Sequence, residues 1–217
     1  SDLGADVTTT GSQTYTDAAT ISADITLTTT SNGTVSFGST TNGAQTLSIT
    51  TNGTGDVTFT DDVGGTAGLN GLTISTNDFN AVDLKVGGTI SITNTGTSSE
   101  ITGVIANDDT AAVFTKAGTG TLTLSGTNTY SGATTISGGI IAISDPNSLG
   151  TTGGATTVNS GAALYISNAI TVAEPITISG TGVSSGGAIR FTGDNNTYSG
   201  AITLGATSTI VSNSGQQ

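Results

Sequence analysis

Two adjacent pairs of carboxylates, Asp61-Asp62 and Asp108-Asp109, are the groups in this sequence best placed by type and spacing to do chemistry. Hard cations take carboxylate oxygens, so either pair offers calcium ligands. Two carboxylates can also divide acid and base work on a glycosidic bond. Adjacent residues on a strand point to opposite faces, however, and neither pair lies in an EF-hand loop or a Gly-rich nonapeptide calcium repeat. The expectation is therefore solvated turn acids, with no metal ligand set and no cofactor. The rest of a catalytic kit is missing. The chain has no His, Cys, Met or Trp, and its only bases are Lys85, Lys116 and Arg190. Imidazole bases, thiolate nucleophiles and clusters of soft metal ligands are absent with them, and the chain reads as not an enzyme. Lys85 and Lys116 are expected to be solvated or paired to a nearby Asp.

Four tyrosines, Tyr15, Tyr130, Tyr165 and Tyr198, could form a sugar-stacking surface. Three of them, Tyr15, Tyr130 and Tyr198, recur in a similar context, which favours a structural role at a corner. Sequons at Asn32, Asn52 and Asn195 carry weight only in a source that glycosylates them.

The net charge of -12 reflects missing bases rather than abundant acids, since charged residues are 8% of the chain. Such a surface repels nucleic acid and anionic membrane, which are bound through Lys and Arg. Ser1 to Gly4 lack the basic start of a secretion signal, and no apolar run approaches membrane-spanning length. These features suggest residues 1–217 as one continuous segment excised from a longer repetitive protein. Both ends, Ser1 to Asp6 and Ser212 to Gln217, are short and polar, unlike caps. The lack of cysteine suits a chain exposed outside a cell.

Thr supplies 48 of the 217 residues and good helix formers are scarce, so the elements that must position these groups are strands. Runs with period-two alternation recur at about ten-residue intervals, among them Ile21 to Leu27, Thr34 to Phe37, Thr46 to Thr50, Asp56 to Thr60, Thr121 to Ser125 and Ala188 to Thr192. Leu, Ile, Val and Phe make up about 22% of the chain, enough for a thin core. Asn32-Gly33, Asn42-Gly43 and Asn52-Gly53 head three tandem units of ten residues. Asn-Gly is a hairpin signal, which would give an antiparallel β-sandwich or meander. It also serves a corner of a parallel β-helix, where left-handed backbone is needed. Short runs and few aromatics favour the solenoid, with Val, Ile, Leu and Ala stacked inside and polar Thr and Asn ladders at the corners. About twenty residues per coil would give ten or eleven coils and a rod of roughly 50 Å.

One stretch is more specific. Ala117 to Ile136, reading through Gly126-Thr127-Asn128-Thr129-Tyr130-Ser131-Gly132 and closing with Ser148-Leu149-Gly150, resembles the autotransporter-associated β-strand repeat of Gram-negative surface proteins. The similarity covers residues 117–150 and departs at Gly139-Ile140-Ile141, where that family has Gly-Thr-Leu. A partial echo ends at Tyr198-Ser199-Gly200, and the units before residue 90 resemble those of filamentous-haemagglutinin-type exoproteins. The resemblance implies a right-handed parallel β-helix that folds outside the cell as the stalk or passenger of an adhesin. Its partners would be neighbouring repeats of the same fibre, with a surface glycan or host protein as ligand. It brings no catalytic residue.

The alternative function is a discrete binding module for carbohydrate, host protein or ice. Thr-x-Thr triplets such as Thr26-Leu27-Thr28, Thr58-Phe59-Thr60 and Thr121-Leu122-Thr123 place hydroxyls on one face and apolar side chains on the other. Their irregular spacing along the sequence weighs against one hydroxyl per coil.

Overall fold

The computed structural model describes residues 1–193 and 195–212. Among them the secondary structure is strand apart from one 3-10 turn at Val183–Ser185. Each coil visits three faces in turn. Ala19–Ile21 lies on a narrow face, Ile25–Thr29 on a first long sheet, and Val35–Phe37 on a second. Thr41–Asn42, Thr46–Thr51 and Val57–Phe59 then repeat the circuit one rung higher. Pairing is parallel throughout, as in Ile25↔Leu47, Val35↔Val57 and Ala19↔Thr41. The second sheet has ten strands, so the chain is a β-solenoid of ten coils. At the usual strand spacing this is a rod of about 50 Å.

The Asn-Gly steps are corners between sheets, not hairpins. Asn32 and Gly53 adopt positive φ, 51° and 65°, where the chain leaves the first sheet for the second, and Gly43 turns from the narrow face into the first sheet. The tandem units of ten residues are therefore half-coils, alternately on the first and second sheets. Inside the same corner Thr29, Thr51, Thr76 and Asn94 stack on successive rungs and are buried. Thr29 Oγ1 donates to Gly33 O at 2.6 Å and Thr51 Oγ1 to Gly55 O at 2.7 Å. Most buried polar groups in folded proteins are paired, and the Thr29 and Thr51 hydroxyls of this ladder pair the carbonyls of the corner.

Alternation turns every second residue of a regular strand inward. One inner column of the first sheet runs Val7, Leu27, Ile49, Ile74, Ile92, Lys116, Ile136, Val158, Ile178 and Leu204. The second sheet departs from the aliphatic interior expected from composition. Tyr15, Phe37 and Phe59 stack with ring centroids 4.8 and 4.7 Å apart, and Phe79 closes the series edge-on at 6.2 Å. In-register stacking brings rings of neighbouring coils to one strand spacing, so a few aromatics form a continuous column.

Of the terminal segments, Asp2–Leu3 pairs with Ala19–Ile21 as the first rung of the narrow face. Residues 213–217 of the Ser212 to Gln217 segment lie outside the described residues, as does Asp194 of the Tyr198 motif.

Candidate functional site

The acids serve the corners. Asp6, Asp24 and Asp83 each accept a backbone N–H from the next coil, from Thr26, Thr46 and Val104, at 2.7, 2.7 and 2.6 Å. Asp56 accepts from Asp78 N at 3.0 Å, and Asp78 accepts from Ser98 N at 2.9 Å. Asn32 and Asn107 do the same for Thr54 and Ser131. A chain making a sharp corner leaves an N–H without a strand partner, and a short side chain one rung below supplies the acceptor.

The two acid pairs first considered for calcium stand apart from each other in role. Asp61 Oδ1 accepts the neighbouring Asp62 N–H at 2.9 Å. Asp108 forms an ion pair with Lys85 at 2.7 Å, and Asp109 is exposed. Asp62 and Asp83 border a groove of about 180 Å³ whose floor is Val63 and Leu84, with Lys85 at its edge. No group of three or more His, Cys, Asp or Glu gathers for a metal ion among the described residues.

Lys116 is a correction. It was expected in water or beside an Asp, yet it is 0% exposed and occupies the inner column between Ile92 and Ile136. Its Nζ reaches the corner and donates to Ala117 O at 2.7 Å and Gly138 O at 3.3 Å. Burial pulls the ammonium down to about 8 from its ordinary 10.5. One sign of this is local, since Lys116 follows the buried Phe114 two residues on, in the inward phase of an alternating run.

The tyrosines do not converge on one surface. Tyr15 belongs to the second sheet, stacked on Phe37, and so does not share the corner position of the other two. Tyr130 is fully buried against Phe114, with its phenol and Thr134 Oγ1 hydrogen-bonded at 2.6 Å. Burial raises the Tyr130 phenol; the hydrogen bond to Thr134 opposes it, and the Glu174 carboxyl adds the smallest, raising contribution. Tyr198 donates to Glu174 O at 2.6 Å, and Tyr165 faces outward with Arg190 5.5 Å above its ring. The three sequon residues, Asn32, Asn52 and Asn195, are all exposed, and Asn32 is also the corner acceptor described above.

The asparagines of the Tyr motifs carry more than the motif suggested. Asn128 Oδ1 accepts Ile105 N–H at 2.7 Å from the coil below, and its Nδ2 donates to Ser148 O at 2.5 Å in the coil above. One buried amide thus ties three coils. Asn196 repeats the first of these bonds, accepting Ile170 N–H at 3.1 Å.

The outer face of the first sheet overturns the expectation that hydroxyls are not spaced once per coil. Thr26, Ser48, Thr73, Ser91, Thr115, Thr135, Thr157, Thr177 and Thr203 stand on successive rungs in one register column. Beside it run Thr8, Thr28, Thr50, Ser75 and Thr93. Corners of unequal length lie between the strands, so regular spacing in space is irregular in sequence. Neither column carries a charge.

Two stretches, residues 114–143 and 184–206, match the family model of the passenger-associated-transport-repeat. The first overlaps the 117–150 segment and the second contains the Tyr198 echo. No curated protein and no solved structure matches the chain.

Proposed function

We propose, from two passenger-associated transport repeats set in one uninterrupted ladder of parallel coils, that this chain is a segment of an autotransporter passenger, displayed on the surface of a Gram-negative bacterium as a stalk or adhesive fibre. The observation that carries the reading is the placement of both repeats in line, each supplying the same Asn-Thr-Tyr-Ser-Gly corner to the rod. A structural role is supported by where the polar groups go. Asp6, Asp24, Asp56, Asp78 and Asp83 accept corner N–H groups, the buried lysine holds corner carbonyls, and the tyrosines are divided between core and edge. The surface is acidic and poor in cations, which disfavours nucleic acid and anionic membrane as partners. Its partners in this reading are the neighbouring repeats of the same fibre, and a glycan or host protein at the surface it presents. Labelling of intact source cells by an antibody against this segment, without permeabilisation, is the expected result. Labelling that requires permeabilisation would overturn surface display.

One observation favours a second reading. The uncharged hydroxyl columns of the first sheet repeat at the strand spacing over most of the rod, which suits a flat, regularly repeating polar solid such as crystalline polysaccharide or ice. Pull-down on crystalline cellulose and chitin, together with an ice-recrystallisation assay, tests it. Activity that is lost in a triple variant carrying Thr135→Lys, Thr157→Lys and Thr177→Lys supports it, and no activity in the parent chain removes it.

A further inference from the structure

Among the described residues, the rod encloses one acid whose carboxylate oxygens are buried and without a hydrogen-bond partner. Glu174 follows strand Thr171–Val172 and, with Pro175, makes the corner into strand Ile176–Gly180. It is 3% exposed, and neither of its carboxylate oxygens has a hydrogen-bond partner. In the register of the first sheet, the equivalent places are Gly132 and Gly154 in the two coils before and Gly200 in the coil after. A Cβ added at Gly154 would stand 2.2 Å from Gly132 O, and one at Gly200 would stand 2.2 Å from the carbonyl oxygen of Glu174 itself. The corner is stacked backbone on backbone at this level, and the Glu174 side chain is enclosed in it.

The groups facing the carboxyl offer little to an anion. From the corner preceding strand Thr134–Ile136 comes the Tyr130 phenol, hydrogen-bonded to Thr134. Strand Thr197–Tyr198 contributes the Tyr198 phenol, which donates to the Glu174 backbone carbonyl rather than to its side chain. Both phenols are raised chiefly by burial and further by the nearby Glu174 carboxyl. Thr156 Oγ1, in the coil between Tyr130 and Glu174, has no partner either. The cations are engaged elsewhere: Lys85 with Asp108, Lys116 with the carbonyls of Ala117 and Gly138, and Arg190 over Tyr165.

We propose that Glu174 is a pH-sensitive latch, neutral while its coil is closed, whose ionisation loosens the rod from strand Ile176–Gly180 through Ile202–Ser208 and Ile210–Ser212 while the earlier coils hold. An ionised carboxylate here would be a buried charge with neither a cation nor a hydrogen-bond partner. Drawing it to water moves the backbone that receives the Tyr198 phenol and supports Gly200, so the next coil loses its seat. In a solenoid each coil is stabilised mainly by its neighbours, which confines the opening to the coils next to Glu174. Burial holds the carboxyl at about 7, above its ordinary 4.5. The folded coil binds the proton more tightly than the unfolded one. The stabilisation is complete below the ordinary value and is lost as pH rises through about 7.

The chain has two glutamates, Glu100 and Glu174, so selective ¹³C-glutamate labelling of the intact chain gives two side-chain carboxyl signals. One should titrate near neutral pH and be absent from Glu174→Gln. Hydrogen-exchange protection factors, which divide out the intrinsic pH dependence, should fall in strand Ile176–Gly180 by on the order of a hundredfold between about pH 5 and pH 8. Strand Thr46–Thr51 should hold its protection in the same molecule, and Glu174→Gln should abolish the fall. Two carboxyls titrating in the ordinary range overturn the latch. So does protection that is constant with pH, that falls along the whole rod, or that falls equally in the Gln variant. Should that variant fail to fold, the titration and the contrast between the two strands within the parent chain decide alone.

Discussion

The corners at residues 128–132 and 196–200 share one sequence, Asn-Thr-Tyr-Ser-Gly, but not one environment. In both, the asparagine accepts an N–H from the coil below and the glycine rides on a carbonyl where a Cβ would stand 2.2 Å away. The tyrosines differ. Tyr130 is fully buried and bonds Thr134 four residues on, whereas Tyr198 is half-buried, has Ile202 at that place, and turns to the Glu174 carbonyl. The strands that follow differ further. Ile136 and Leu204 occupy the same inner column, yet Ile136 is 0% exposed and Leu204 is 64% exposed, beside a recess of about 400 Å³ floored by Ile202 and Ile210. The repeat therefore supplies the turn, whereas burial follows what is stacked on the next strand: Val158 covers Ile136, and Leu204 lies on the last first-sheet strand among the described residues. Stability in such an array is a sum of intrinsic and nearest-neighbour contributions.

The largest expected effect separates those two contributions. Ile136→Asp places an unpaired carboxylate in a sealed column and removes aliphatic contacts, at a cost of about 3 to 5 kcal/mol. In the 217-residue segment, Leu204→Asp makes the same chemical change where water already reaches, and should there cost under about 1 kcal/mol. Urea melts of the two variants test this, with equal losses showing that burial does not depend on the covering coil.

A smaller and pH-dependent difference comes from the coil beneath each corner. Before the first repeat's corner the inner column holds Lys116; before the second it holds Ile178. The folded ammonium lies at about 8 against an ordinary 10.5, so folding disfavours its charged form. That cost is present in full below about 8 and is relieved as pH rises toward 10.5. Measured against Lys116→Met, in which the four tyrosines are unchanged and cancel, the native chain should gain about 2 to 3 kcal/mol between pH 7 and pH 10.5. Parallel stability curves would show that the buried site tolerates the charge as well as water does.

How far these differences could be read from sequence follows from which interactions are local. Alternation in Thr134-Thr135-Ile136 fixes the inward and outward phase, because the strand period is two. The Asn-Gly corners were legible as left-handed backbone, although hairpin and solenoid share that need and only the parallel register of Val35 with Val57 separates them. What sequence spacing hid was set by register between coils. The hydroxyl columns are obscured because corners vary in length, and the Tyr15, Phe37 and Phe59 stack is scattered over three coils. Lys116 and Glu174 were hidden for a different reason. Charged residues are ordinarily exposed, and nothing in the composition near either marks the closed corner that surrounds it. The acids' role as acceptors for N–H groups one coil away, as at Asp24 and Asp83, is likewise a relation between distant residues.

On the outer face the contrast between the two repeats should vanish. Thr135 and Thr203 belong to the same outward hydroxyl column, one rung beside Ile136 and one beside Leu204. Neither side chain contributes to the core, and no coil stacked above can bury a residue that points away from the rod's interior. Thr135→Asp and Thr203→Asp should each cost under about 1 kcal/mol and agree within about 0.5 kcal/mol. The pair is the control for the inner-face comparison, because the substituted residues sit in the same two strands and receive the same new charge. If Thr135→Asp proved costlier than Thr203→Asp by a margin approaching that between Ile136→Asp and Leu204→Asp, the first repeat would be more sensitive to any carboxylate at that level. The gap at Ile136 would then report the strand's general fragility instead of the coil that covers its inner face.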